Sequence, residues 1–283
     1  MATEKNKELL IRTRTAIIFA VVMFLGIYWN AYTYACLMVA IMLASLYEFQ
    51  NITHPERQAN RTSTLSGIFT FLLAVVLFIV SFLVAKGSIG AKVFIVFPAL
   101  LFLYFVIELF AHSQWPFRNI AWNMLGIVYL TLPFVALNFM VIKSDTYLYE
   151  LVLSILFIIW ANDSFAYLVG SRIGKHKMIP RISPGKSWEG IAGGAMGAVL
   201  VAIALHYVFH LQFLSIIDWC LLGILISFAA TVGDLAESML KRSLGIKDSG
   251  TLLPGHGGVL DRFDAFYFAV PFAASYLTLA GKI

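Results

Sequence analysis

The residues best suited to chemistry in this chain sit in a short polar stretch. Residues 241–264, KRSLGIKDSGTLLPGHGGVLDRFD, hold seven Lys, Arg and Asp side chains in 24 positions, whereas only 12% of the chain is charged. Asp261 and Asp264, spaced i,i+3, fall on one face at the start of the last apolar segment. Carboxylates there also complement a helix N-terminus, which is their purely structural explanation. Glycines 255, 257 and 258 let the backbone turn tightly and present successive N–H groups to an anion. Just upstream, Asp234, Ser238 and Lys241 are spaced i, i+4, i+7 and share one face of a continued helix. Taken alone, that segment is better read as a solvated helix end with a basic last turn. A pair of acids facing a third, with basic residues nearby, suits a divalent cation and phosphate. Mg²⁺ takes one or two carboxylates and fills its remaining positions with water and substrate phosphate oxygens.

Two other stretches bear on the same chemistry. Asp163 lies inside an apolar run, in Trp160-Ala-Asn-Asp-Ser-Phe-Ala-Tyr167. A carboxylate at membrane depth costs about 2.5–3.5 kcal/mol, so it faces a bundle interior or a watery cavity. Asn162 and Ser164 are its candidate structural partners. The stretch Ile182-Ser-Pro-Gly-Lys-Ser-Trp-Glu-Gly190 contains Gly185-Lys186-Ser187, but a phosphate-binding GxxxxGK[ST] loop needs Gly where Pro180 stands. Ser187 is expected to cap a helix whose first turn holds Glu189. Gly190 with Gly194, and Gly193 with Gly197, form overlapping GxxxG pairs for helix packing within the fold or between protomers.

The elements that must position these side chains are membrane helices. The chain of 283 residues is 60% hydrophobic, with mean hydropathy +0.86, far outside the range of soluble domains. Nine apolar segments are predicted, at about 15–30, 33–49, 64–85, 91–111, 120–142, 149–169, 189–209, 216–233 and 263–281. The expected fold is therefore an all-α polytopic membrane protein with about nine transmembrane helices and a polar catalytic cavity in its C-terminal half. It reads as one membrane domain, residues 1–150 supplying N-terminal helices and 151–283 the catalytic helices and loops. The basic leader at residues 1–15 lacks a clean cleavage site, so the first segment is expected to be retained. With a cytoplasmic N-terminus, 16 of the 20 Lys and Arg residues fall inside, and Lys86, Lys92, Lys143 and Lys282 fall outside. The basic excess, pI about 9.1, is thereby topological and excludes nucleic acid as the partner. Cys36 and Cys220 lack ligand spacing and read as buried small hydrophobes.

At this point the residues resemble a known family. Ser238-x-Leu-Lys-Arg242, then Lys247-Asp-x-Gly250, then Leu253-Pro-x-His-Gly-Gly-Val-x-Asp-Arg-Phe-Asp264 is similar, over 27 residues, to the signature of the phosphatidate cytidylyltransferases. The stretches 162–167 and 183–190 resemble the same family, while the first half of the chain resembles it only in being hydrophobic. The resemblance implies an integral membrane enzyme that makes CDP-diacylglycerol and pyrophosphate from CTP and phosphatidate. It further implies a requirement for Mg²⁺, with K⁺ as a candidate to share the metal site, a capacity to dimerise, and a bacterial inner-membrane location with the site facing the cytoplasm. Asp234, Asp261 and Asp264 would form the metal centre, and Ser238, Lys241 and Arg242 would handle phosphate. Asp163, Lys186, Ser187, Lys247, His256, Gly257, Gly258 and Arg262 are the candidate substrate-binding residues. Because a phosphate monoester is largely dianionic near neutral pH, His256 is expected to shape the glycine-rich turn or touch phosphate rather than abstract a proton. A CTP-dependent lipid kinase and a transporter are the competing readings. The DGxxAR…GxxxDxxxD pattern of the CDP-alcohol phosphotransferases is absent.

Overall fold

The computed structural model describes residues 2–54, 62–111, 113–253 and 257–283, with side chains described from residue 13 onward and, after the first break, from residue 65. It is built from helices. In order they are α1 (Ala2–Tyr28), α2 (Ala31–Thr53), α3 (Thr62–Ala85), α4 (Phe97–Phe110), α5 (Pro116–Gly126), α6 (Leu132–Val141), α7 (Tyr149–Ile173), α8 (Trp188–Phe209), α9 (Ile216–Ser243) and α10 (Leu260–Leu279). Among the described residues seven helical stretches are long and apolar enough to cross a membrane, and Thr13–Tyr28 adds a shorter apolar one. Each predicted apolar segment coincides with one of these helices or with α10. The segment predicted at 91–111 starts as a 3₁₀ turn, Ala91–Val96, before α4. The segment at 120–142 is α5 and α6 joined through a π turn, Ile127–Thr131, just before Pro133, whose missing N–H loosens the ladder there.

Apolar side chains cover much of the outside. On α4, Phe102, Leu109 and Phe110 are 68%, 72% and 75% exposed, a disposition that only lipid satisfies. The protein is an all-α polytopic membrane protein. The two cysteines follow the same logic and correct the reading above, for Cys36 is exposed and Cys220 half-buried, both unpaired. A membrane helix turns small apolar side chains outward as readily as inward.

The chain divides into two compact units. The first comprises Met1–Tyr147 and Asp248–Arg262. Its core is aromatic and aliphatic, with Tyr34, Tyr104 and Phe134 fully buried, and several of its buried polar groups pair with one another, as hydrocarbon surroundings favour. The Tyr34 hydroxyl donates to Asn138 Oδ1 at 3.0 Å, Asn138 Nδ2 donates to Ser81 Oγ at 2.8 Å, and the Tyr104 hydroxyl donates to Thr70 Oγ1 at 2.8 Å. A short hairpin of β1 (Ile142–Lys143) and β2 (Thr146–Tyr147) follows α6.

The second unit comprises Leu148–Lys247 and Phe263–Ile283. Glycine decides how α7 and α8 meet. A Cβ on Gly193 would lie 2.5 Å from Val169, and one on Gly197 would lie 2.3 Å from Phe165. Both GxxxG pairs therefore serve packing inside the fold, and backbones touch where side chains otherwise would. Ser215 caps α9 in a capping box with Asp218. Asp218 also accepts from the Tyr276 hydroxyl at 2.7 Å and pairs with Lys282 at 2.9 Å, tying α10 to the start of α9. Between α7 and α8 the chain forms an antiparallel hairpin, β3 (Lys177–Ile179) and β4 (Ser183–Ser187), in which Lys177 opposes Ser187. Residues 170–188 read as a loop in the sequence because Pro180, Pro184 and Gly185 mask any strand alternation.

Candidate active site

In the second unit a cavity of about 620 Å³ opens among α7, β4 and α9. Asn162 and Asp163 reach it from α7, Lys186 and Ser187 from β4, and Thr231 and Asp234 from α9. Each polar side chain is held by a neighbour. Asn162 Oδ1 accepts from Ser227 Oγ at 2.6 Å, which turns its Nδ2 toward Asp163 Oδ1 at 3.2 Å. The buried amide thus aims the carboxylate. Ser187 is the N-cap of α8, its Oγ accepting the N–H of Gly190 at 3.2 Å, so Lys186, one residue before the cap, sits on fixed backbone. Its Nζ lies 2.6 Å from Asp234 Oδ2. Ser238 Oγ donates to the other oxygen of Asp234 at 3.3 Å, across one helical turn.

The next turn of α9 holds a second pair. Lys241 Nζ lies 2.7 Å from Glu237 Oε2, with the two side chains 14% and 1% exposed. Burial of both makes this pair costly to break. Arg242 Nη1 donates to the carbonyl of Ile246 at 3.2 Å, folding back over the helix end, and Lys247 is exposed. Gly233 brings α10 in, for a Cβ there would lie 2.6 Å from the Asp264 carbonyl oxygen. That close approach leaves Asp264 within the electrostatic reach of Asp234, Asp163 and Lys241. Asp163, Lys186, Asp234, Ser238, Lys241 and Asp264 are hence gathered in one unit.

Asp261, Arg262, Gly257 and Gly258 belong to the first unit. Asp261, in the first turn of α10, accepts the N–H groups of Ser249 at 3.1 Å and Gly258 at 2.9 Å. Gly257 has φ +86°, a conformation glycine adopts freely, and its carbonyl accepts from Leu253 N at 3.0 Å. Arg262 is exposed in the same turn. His256, together with Pro254, Gly255 and the Arg57 and Arg61 of the charge count, lies outside the described residues.

Three functional neighbours escaped the sequence reading. Glu237 looked like a solvated helix charge but is buried against Lys241. Gly233 gave no signal beyond being a glycine before an acid. Glu48, in α2, accepts the Leu260 N–H at 2.8 Å through Oε2; an acid inside the apolar run 33–49 was the signal, the same one that marked Asp163.

Among the described residues no three His, Cys, Asp or Glu side chains converge as a ligand cluster. The donor set in the second unit still fits Mg²⁺, which needs only one or two carboxylates beside substrate oxygens and waters; Asp234 and Asp264 would be those two. All the donors are hard oxygens, and the cavity offers no thiolate or imidazole that would favour a softer ion.

Comparison with known proteins is consistent with this arrangement. The model of the cytidylyltransferase family matches residues 10–280. The phosphatidate cytidylyltransferase of Staphylococcus haemolyticus (strain JCSC1435) is 34% identical over 270 residues, covering 92% of this chain and 96% of the relative. That of Bacillus subtilis (strain 168) is 47% identical over 122 residues, 43% of this chain and 45% of the relative. That of Pseudomonas aeruginosa PAO1 is 39% identical over 160 residues, 56% of this chain and 59% of the relative. With a family match spanning nearly all of its residues and a relative aligned over almost its whole length, the chain belongs to the cytidylyltransferase family.

Proposed function

We propose that this protein is a CTP:phosphatidate cytidylyltransferase, transferring CMP from CTP to phosphatidate to give CDP-diacylglycerol and pyrophosphate. The observation that carries the reading is the Lys186–Asp234 pair beside Asp163 in a cavity among apolar helices, with Asp264 within electrostatic reach of both acids. A charged cavity of that size on such helices suits a soluble nucleotide meeting a lipid phosphate.

The reaction joins an oxygen of the phosphatidate phosphate to the α-phosphorus of CTP, and the bond to pyrophosphate breaks in line. The nucleophile is largely ionised at neutral pH, its second pKa being about 6, so no side chain need act as base. What the protein contributes is position and charge. Lys186 and Lys241, each held by an acid, are the cations for phosphate oxygens, and the Ser238 hydroxyl is a donor between them. Asp234 and Asp264 would hold Mg²⁺, which neutralises phosphate charge when bound; the resemblance adds Asp261, one turn earlier on the same helix, and K⁺ as a second ion. Asn162 keeps Asp163 turned into the cavity. The positive-inside count supports a site on the cytoplasmic face of a bacterial inner membrane. Because the glycine pairs are used within the fold, dimerisation rests on the resemblance alone, and light scattering of the purified protein in detergent tests it.

The deciding assay supplies labelled CTP, phosphatidate and Mg²⁺ to the purified protein. CDP-diacylglycerol and stoichiometric pyrophosphate are expected, with both lost in Asp234→Asn and Asp264→Asn. CDP formed without pyrophosphate would make it a CTP-dependent lipid kinase instead. A folded wild type that turns over no CTP would remove the enzymatic reading.

A further inference from the structure

Glu48 lies far from the signature in sequence, yet it touches the signature loop at three places. Its Oε2 accepts the N–H of Leu260, the first residue of α10, and lies 3.5 Å from Ser249 Oγ. Gly250 and Gly258 pack directly on the carboxylate. A Cβ on Gly250 would sit 2.3 Å from Glu48 Oε1, and one on Gly258 would sit 2.5 Å from Oε2. Glu48 is 2% exposed, and among the described residues its Oε1 has no hydrogen-bond partner. A half-satisfied carboxylate buried in an apolar helix is expensive. A serine or an amide would serve simple capping at lower cost.

The loop is gripped from two sides. Ser249 gives its N–H to Asp261 and turns its hydroxyl to Glu48, while Gly258 gives its N–H to Asp261 and rests its α-carbon on Glu48. Any shift of the Glu48 carboxylate therefore moves the groups that hold Asp261.

We infer that Glu48 is a positioning residue for the reaction, fixing the signature loop and the first turn of α10 and, through them, Asp261. The inference rests on the function proposed above. It gives the N-terminal helices, which carry no signature residue, a part in the reaction. A carboxylate at a helix N-terminus also stabilises the fold, so the test separates the two roles.

Full-length protein is purified with Glu48→Ala, Glu48→Gln, Gly250→Ala and the Glu48→Ala/Gly250→Ala pair. Glu48→Ala is expected to lower kcat/KM for CTP by about 10²-fold, the cost of a misplaced reacting group, while KM for phosphatidate and the melting temperature stay near wild type. Glu48→Gln keeps an acceptor for Leu260 and restores most of the loss. Gly250→Ala is damaging alone and adds nothing once Glu48 is alanine, since the clash is gone. Hydrogen exchange at the Leu260 amide, read without any substrate, is expected to speed up in Glu48→Ala. Full activity in Glu48→Ala, or losses that fall equally on both substrates and track a lowered melting temperature, would overturn the inference. If Glu48→Ala does not fold, Glu48→Gln as inactive as Gly250→Ala would overturn it, and near-wild-type activity with protected Leu260 exchange would support it. An inactive wild type with the exchange change intact would instead sink the proposed reaction and leave the loop contact standing.

Discussion

The ammonium of Lys186 and the carboxylate of Asp234 meet in the lining of a cavity, and neither is deeply buried, with side chains 23% and 39% exposed. Such a pair adds little to stability because water screens it. Its value lies in the charges it keeps near a phosphate. Lys186→Ala is accordingly expected to cost about 10²–10³-fold in kcat with an unchanged melting temperature, measured by pyrophosphate release and thermal unfolding of the same preparation. Glu237 and Lys241 behave in the opposite way. Removing the acid takes one charge from a largely buried pair, so Glu237→Leu is expected to destabilise by about 3–5 kcal/mol, seen as a large fall in melting temperature, and Glu237→Leu/Lys241→Met should recover much of it. Asp163 shows how far single residues can be read in advance, since an acid in an apolar run announces a polar neighbourhood. Glu48 carried the same mark, but what it marks is contact with Leu260, 212 positions later in the chain, and no local pattern encodes that.

Elements hold these residues through backbone contact more than through side-chain bulk. The α7–α8 interface is the clearest case. Gly197→Ala would force a methyl into the Phe165 ring, and the expected cost is about 1–3 kcal/mol, read as a lower melting temperature. Gly90→Ala, where nothing lies within 4 Å and φ is −78°, is the matched control expected to leave stability unchanged. The GxxxG spacing made this packing legible in outline, but which partner the glycines face was open until Val169 and Phe165 were seen against them. The hairpin bearing Lys186 was not legible at all. Its prolines and glycine disrupt alternation, and it exists because Lys177 and Ser187 are paired by the geometry between two helix ends.

For the whole molecule, hydrophobicity fixed the class and charge distribution predicted the orientation, since both are sums over many residues and forgive local error. The orientation is testable directly. In a Cys36→Ser/Cys220→Ser background, Ser243→Cys is expected to react with an impermeant thiol reagent only from the cytoplasmic side, and Ser88→Cys only from the other. The reverse pattern would invert the count of Lys and Arg. The meeting of helices around Asp234 was out of reach, because it depends on which apolar faces pack, and lipid-facing and core-facing residues are chemically alike.

The cap of α8 has one more consequence. Ser187 ends the hairpin and starts the helix, so the lysine beside it is fastened to a rod spanning the hydrocarbon. Bilayer thickness sets how far such a rod tilts, and a change of tilt is delivered to the Lys186 ammonium as a displacement. Turnover in vesicles of short-chain and long-chain lipids is therefore expected to differ at saturating substrate. A rate indifferent to chain length would show that packing against α7 and α9, and not the bilayer, holds that ammonium in place.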